Sequence, residues 1–348
     1  LDFRRTYRWH NAVAGYLGLA VDADEQFVAL VDEPGARGRL PAGAAFTYHR
    51  LGITHAAMGR PDAARRAWAR SREFFAAYDH HALMVFTLLG EMRDVALTYG
   101  AAEPAARRRL AAEAEAALGR AGGALRPGVS ARLAWLSCLA LDGRWDEALQ
   151  LLDDLPPPGN SQLRREMTDT RAVLAHRRGE PHVAWAQIHP LFPDGPATEP
   201  GDHIHQEGLF LQRLAADLCL DAGDLPGARA WLEAHDAWLA WSGSVLGQAD
   251  GRLAWARYHW AAGDAALARS AAIEALAMAE APRQPLVCLA GHRLLGEIET
   301  AAGQHAAAEA HLAAALELAT TCEALFERAV TLLALAELRA NMGNIAEA

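Results

Sequence analysis

The 348-residue sequence contains no lysine; all 33 of its basic residues are arginine. That absence excludes the chemistries that need an ammonium group: a P-loop, a protein-kinase fold and a Schiff-base enzyme. Cysteine is scarce as well. Cys138, Cys219, Cys288 and Cys322 stand far apart with no C-x-x-C pair. This spacing supports neither a disulfide framework nor a cysteine zinc site, and it reads as small packing residues in a reducing compartment. With a formal charge of −10, the chain lacks the clustered positive charge that displaces counterions from phosphates, so direct nucleic-acid binding is not expected. No run of about eighteen apolar residues exists, and no apolar core follows Leu1-Asp2-Phe3-Arg4-Arg5. The expectation is a cytoplasmic protein without a membrane helix or signal peptide. The chain opens on Leu and stops at Gly343-Asn344-Ile345-Ala346-Glu347-Ala348, inside a motif that recurs upstream, which points to a longer parent polypeptide.

What the sequence has in abundance is alanine and leucine, which supply most of its 52% hydrophobic content. These are strong helix formers, whereas the β-branched residues that favour strands are sparse. One motif recurs along the chain: a Gly, four variable residues, then an Ala, set between two Ala/Leu-rich stretches. It occurs at Gly343/Ala348, Gly303/Ala308, Gly263/Ala268 and Gly223/Ala228, each 40 residues apart. It continues at Gly179/Ala184, Gly143/Ala148, a weaker Gly100/Ala105, and Gly59/Ala64. The Gly closes a first helix in the left-handed conformation that is cheap only without a Cβ. The polar residues after it, and Pro61, Pro181 and Pro226, suit a tight turn and the first turn of a second helix. The Ala lets the second helix approach the first closely. The expected fold is all-α, an α-solenoid of about eight helix pairs with roughly 40 residues per repeat.

The segment Tyr48-His49-Arg50-Leu51-Gly52, with Gly59, Ala64 and Trp68 beyond it, resembles the tetratricopeptide repeat (TPR). So do Leu294-Leu295-Gly296 with Gly303, Ala308 and Leu312, and Trp255-Ala256 with His259, Gly263 and Ala268. The resemblance covers residues 44–348 and implies a right-handed superhelix of TPR-like pairs, truncated at its C-terminus. Residues 1–43, with a helical stretch from Tyr7 to about Val31, are expected to form a degenerate leading unit. Arg93, Leu136 and Arg171 depart from the pattern at positions that call for small or apolar side chains. In texture the array looks like the helical region of LuxR-type bacterial transcriptional regulators, although neither a nucleotide-binding nor a helix-turn-helix motif occurs here.

In the family the first helix of each pair lines a concave groove. Its ligand-contacting positions transfer to Phe210, Arg213 and Asp217, to Asp250, Leu253, Arg257 and Trp260, and to Arg293 and Glu297. Asp217, Arg257 and Glu297 then form a ladder of alternating charge, either a recognition surface or a set of inter-repeat ion pairs. The resemblance implies a non-catalytic scaffold that binds a protein, a peptide or a small effector. The alternative is a small-molecule sensor with an enclosed apolar pocket.

Other candidate chemistry is weak. Asp202-His203-Ile204-His205 with Glu207 offers two imidazoles and a carboxylate but no H-E-x-x-H helix, so no metal is expected. Ser242-Gly243-Ser244-Val245-Leu246-Gly247 lacks the G-x-S-x-G order of a nucleophile elbow. No catalytic residue and no cofactor are assigned. Trp231, Trp238 and Trp241 share a helical face, and Trp231, Trp238 and Trp255 read mainly as a core stripe. Turn-rich breaks at Glu33 through Gly43, Gly119 through Gly128, Leu155 through Asn160 and Pro190 through Asp202 read as inter-repeat loops, the last as an insertion.

Overall fold

The computed structural model describes residues 24–26, 29, 41–121, 133–155, 161–200 and 205–343. The predicted leading helix falls mostly outside the described residues, as do Asp202-His203-Ile204 and most of the breaks before Gly43, after Gly119 and after Leu155. Among the described residues there is no β-strand. The helices are α1 (Pro41–Ala57), α2 (Pro61–Ala77), α3 (His81–Glu91), α4 (Pro104–Arg120), α5 (Leu133–Leu141), α6 (Trp145–Asp154), α7 (Ser161–Arg177), α8 (Pro181–Ile188), α9 (His205–Asp221), α10 (Leu225–Ser242), α11 (Gln248–Ala261), α12 (Ala265–Glu280), α13 (Pro285–Ala301), α14 (His305–Thr321) and α15 (Leu325–Asn341). Each odd-numbered helix through α13 packs on the even-numbered one after it. Each also touches the next odd-numbered helix, so α1, α3, α5, α7, α9, α11, α13 and α15 form one continuous inner layer. This is an all-α solenoid.

The turns carry the pattern seen in the sequence. Gly59, Gly143, Gly179, Gly223, Gly263, Gly303 and Gly343 all have φ between 70° and 82°, where a Cβ would be strained. Ala64, Ala148, Ala184, Ala228, Ala268 and Ala308 are fully buried, each on the third residue after the helix start. Gly100/Ala105 is corrected. There α3 runs on into a π-helical turn (Met92–Ala96), and two extra residues separate Gly100 from the start of α4 at Pro104. The place of the buried Ala therefore falls on Arg107, which is 2% exposed, while Ala105 is exposed.

Two further features follow from packing. The predicted Pro190–Asp202 insertion is anchored on the core over its described part: Phe192 is buried against the rings of Trp231 and Trp238, and the Trp238 indole N–H donates to the Thr198 carbonyl at 3.2 Å. Trp255 is only half-buried, and its indole N–H donates to Asp236 at 2.9 Å.

The array also curls until its two halves touch. The amides of Val245 and Leu246 donate to the Ala57 carbonyl at 2.8 and 2.9 Å. Arg107 Nη2 donates to the Cys322 carbonyl at 2.7 Å, and a second guanidinium nitrogen of Arg107 donates to the Ala101 carbonyl. Trp145 stacks at a tilt on Phe326, with centroids 5.0 Å apart. Ala101, Leu141, Cys322 and Ala324 bury one another between the halves. The turns of the first three pairs and the end of α7 thus clasp the last three connections between pairs, α10–α11, α12–α13 and α14–α15, and the start of α15.

Candidate functional site

The inner layer converges on a cavity of about 310 Å³. Six consecutive first helices or their extensions supply its wall, from Arg93 after α3 through Ser137 on α5, Arg165 on α7, Arg213 on α9 and Asp250 on α11 to Gln284 at the start of α13. Its apolar part comes from leucines, among them Leu97, Leu141, Leu209 and Leu246.

The polar part is a buried network. Adjacent residues on the π-turn pair face to face: Arg93 Nε and Nη2 donate to the two Asp94 carboxylate oxygens, both at 2.8 Å. The third guanidinium nitrogen, Nη1, makes no hydrogen bond among the described residues; the Glu166 carboxylate lies 3.8 Å away. Glu166 accepts the Ser137 hydroxyl. Arg165 donates to Asp169 at 3.3 Å and lies 3.7 Å from Asp94. Arg213 donates to the Leu209 carbonyl at 3.1 Å and stands 3.7 Å from Asp250. Its Nη1 also meets His235 Nε2 at 3.1 Å. A guanidinium can only donate, so Nε2 is the acceptor there, and burial holds His235 below the ordinary histidine range. A π-turn inside a helix often marks a functional site. Here it places two oppositely charged neighbours on the same inner surface.

Burial pushes the Asp169 carboxyl well above the usual carboxylate range, against the pull of Arg165 and Arg93. Burial also raises Glu207, beside the same arginines. One oxygen of each carboxyl, Asp169 Oδ1 and Glu207 Oε1, makes no hydrogen bond among the described residues. A carboxyl whose pKa is raised on folding favours the folded state at low pH, and that stability is lost as pH climbs from the unfolded value through the folded one. Asp169→Asn is therefore expected to raise Tm at neutral pH, with the gain closing to zero below about pH 4. Melting curves across pH test this; an equal or lower Tm for the variant at pH 7 would count against a destabilising Asp169.

The nine residues singled out from the sequence separate into four groups. Phe210, Arg213 and Asp250 line the cavity. Asp217 and Arg257 form a two-pronged pair, both hydrogen bonds at 3.0 Å, bridging α9 and α11. Arg293 lies 4.0 Å from Glu297 and donates to Glu327 at 2.7 Å. Leu253 is turned into the cluster between α11, α12 and α13, and the half-buried Trp260 packs against that same cluster. Arg93, Asp94, Arg165, Glu166 and Asp169 were not assigned from the sequence. Their available signal was Arg93 itself, a charge where the repeat calls for a small residue, and the Arg164-Arg165-Glu166 run in an otherwise weakly patterned helix.

The fold and this cavity define a class: a clasped helical-repeat array around a charged central cavity. Compared with known proteins, the chain matches no family model and no curated protein. No helix among the described residues is long and apolar enough to cross a membrane.

Proposed function

We propose that this chain is a non-catalytic, TPR-like effector-sensing region of a larger cytoplasmic regulatory protein, and that it binds a small molecule in the central cavity. The observation that carries this reading is the convergence of six successive inner helices on one cavity of about 310 Å³, at the lower end of the range for small-ligand sites. The clasp favours a small effector over an extended peptide, because Ala57 and Arg107 bridge to Val245 and Cys322 where an open groove would let a chain pass. A ligand touching α3, α7, α11 and α13 together would bind the clasped arrangement better than an opened one and so shift the population towards it. The likeness to helical regions of LuxR-type regulators supplies the setting by analogy only.

Val173, half-buried on α7, faces the cavity. A thermal-shift screen of charged and neutral metabolites and of short peptides on the whole chain, repeated with Val173→Trp, tests the proposal. Small-molecule hits that disappear in the filled variant are expected. Hits that persist in it, or hits confined to peptides, would sink the reading.

A further inference from the structure

We infer that the ligand of this cavity carries an oxyanion, carboxylate or phosphate, next to a hydrogen-bond donor such as an amine or hydroxyl. This rests on the small-molecule reading above and adds the chemical class.

The anion side is written in uncommitted donors. Arg93 spends two nitrogens on Asp94 and keeps Nη1 without a hydrogen bond among the described residues, although the residue lies within the wall. Two helix starts also open here. Gly247, the N-cap of the 14-residue α11, and Gln284, the N-cap of the 17-residue α13, both line the cavity, and neither helix start is capped by a side chain. First-turn N–H groups and the positive end of the helix dipole favour an anion. Arg93, Arg165, Arg177 and Arg213 face Asp94, Glu166, Asp169 and Asp250 along the wall.

The donor side is written in uncommitted acceptors. Gln284 is 2% exposed, and its Oε1 makes no hydrogen bond among the described residues. Asp169 Oδ1 is in the same state on the α7 side. A buried acceptor left unpaired is costly, so a ligand N–H or O–H that pairs with it gains binding free energy. The leucines leave room for a short carbon frame between the two groups.

The test is calorimetry on the whole chain with matched probes: glycolate against glycolamide, and glycerol phosphate against glycerol. Oxyanion binding with the neutral partner at least tenfold weaker is expected, and the preferred pair separates carboxylate from phosphate. Gln284→Glu keeps the size of the side chain and places a carboxylate at an N-cap, which suits the helix. It should retain the circular dichroism spectrum and weaken oxyanion binding at least tenfold. Equal binding of neutral partners, or unchanged affinity in Gln284→Glu, overturns the oxyanion class. If only neutral molecules bind and Val173→Trp abolishes them, the class fails while the cavity reading stands. If neither these probes nor the wider screen binds, both fall.

Discussion

Glu327→Gln lowers the unfolding free energy by about 3–5 kcal/mol. Glu327, near the start of α15, accepts hydrogen bonds from Arg177 Nη2 at the end of α7 and from Arg293 Nη1 on α13, both at 2.7 Å. All three side chains are largely buried. Burial alone would raise this carboxyl, but Arg293 and Arg177 together hold it below the usual range, while burial depresses Arg177. Removing the charge leaves two guanidiniums facing each other with no anion between them, and it does so at the clasp. A carboxyl depressed on folding contributes stability above its unfolded pKa, near 4.3, which is lost as pH falls through the folded value. The wild type should therefore show an acid-side loss that Glu327→Gln lacks. Chemical denaturation at pH 7 and pH 3 reads both. A loss under about 1 kcal/mol at pH 7 would mean the triad behaves like an exposed pair.

Trp238→Ala costs about 3–5 kcal/mol, the range for deleting a large buried ring. The ring is 2% exposed and lies so close over Gly208 that a Cβ there would collide with it. It touches Phe192 and holds the Thr198 carbonyl. Its removal opens a cavity and also frees the 190–200 segment from the core. Limited proteolysis should find new cleavage within that segment together with the lowered denaturation midpoint. Stability loss without new cleavage would show that Phe192 alone retains the segment.

What could be read from the sequence was whatever repeats locally. A Gly that must turn left-handed and an Ala that must vanish between helices leave a mark at every pair, and seven of the eight expected Gly turns have the expected backbone. Gly100 failed because a π-turn and two inserted residues shift the following helix, and no periodic pattern encodes an insertion of that kind. Arg93 was visible as a departure, but its role was not, since a charge at a packing position gains meaning only once Glu166 and Gln284 arrive from other helices. Arg213 and Asp250 were reachable because their pairs keep the register. Asp217 and Arg257 sat at equivalent positions and pair with each other. The clasp left no trace, because contacts such as Arg107 to Cys322 depend on the summed curvature of the whole array.

That clasp changes how the array should come apart. In an open repeat protein, stability is a chain of nearest-neighbour terms, and melting can creep inward from either end. Here residues 187 and 215 positions apart in sequence are joined directly, by Ser244 to Ala57 and by Arg107 to Cys322. Such links raise the contact order, so the last step of folding carries a loop-closure entropy that neighbouring pairs never meet. The terms between neighbours are then tied through a closed boundary. A defect introduced at one pair is shared by pairs half the sequence away, and the array unfolds more nearly as one cooperative body than as a row of independent units.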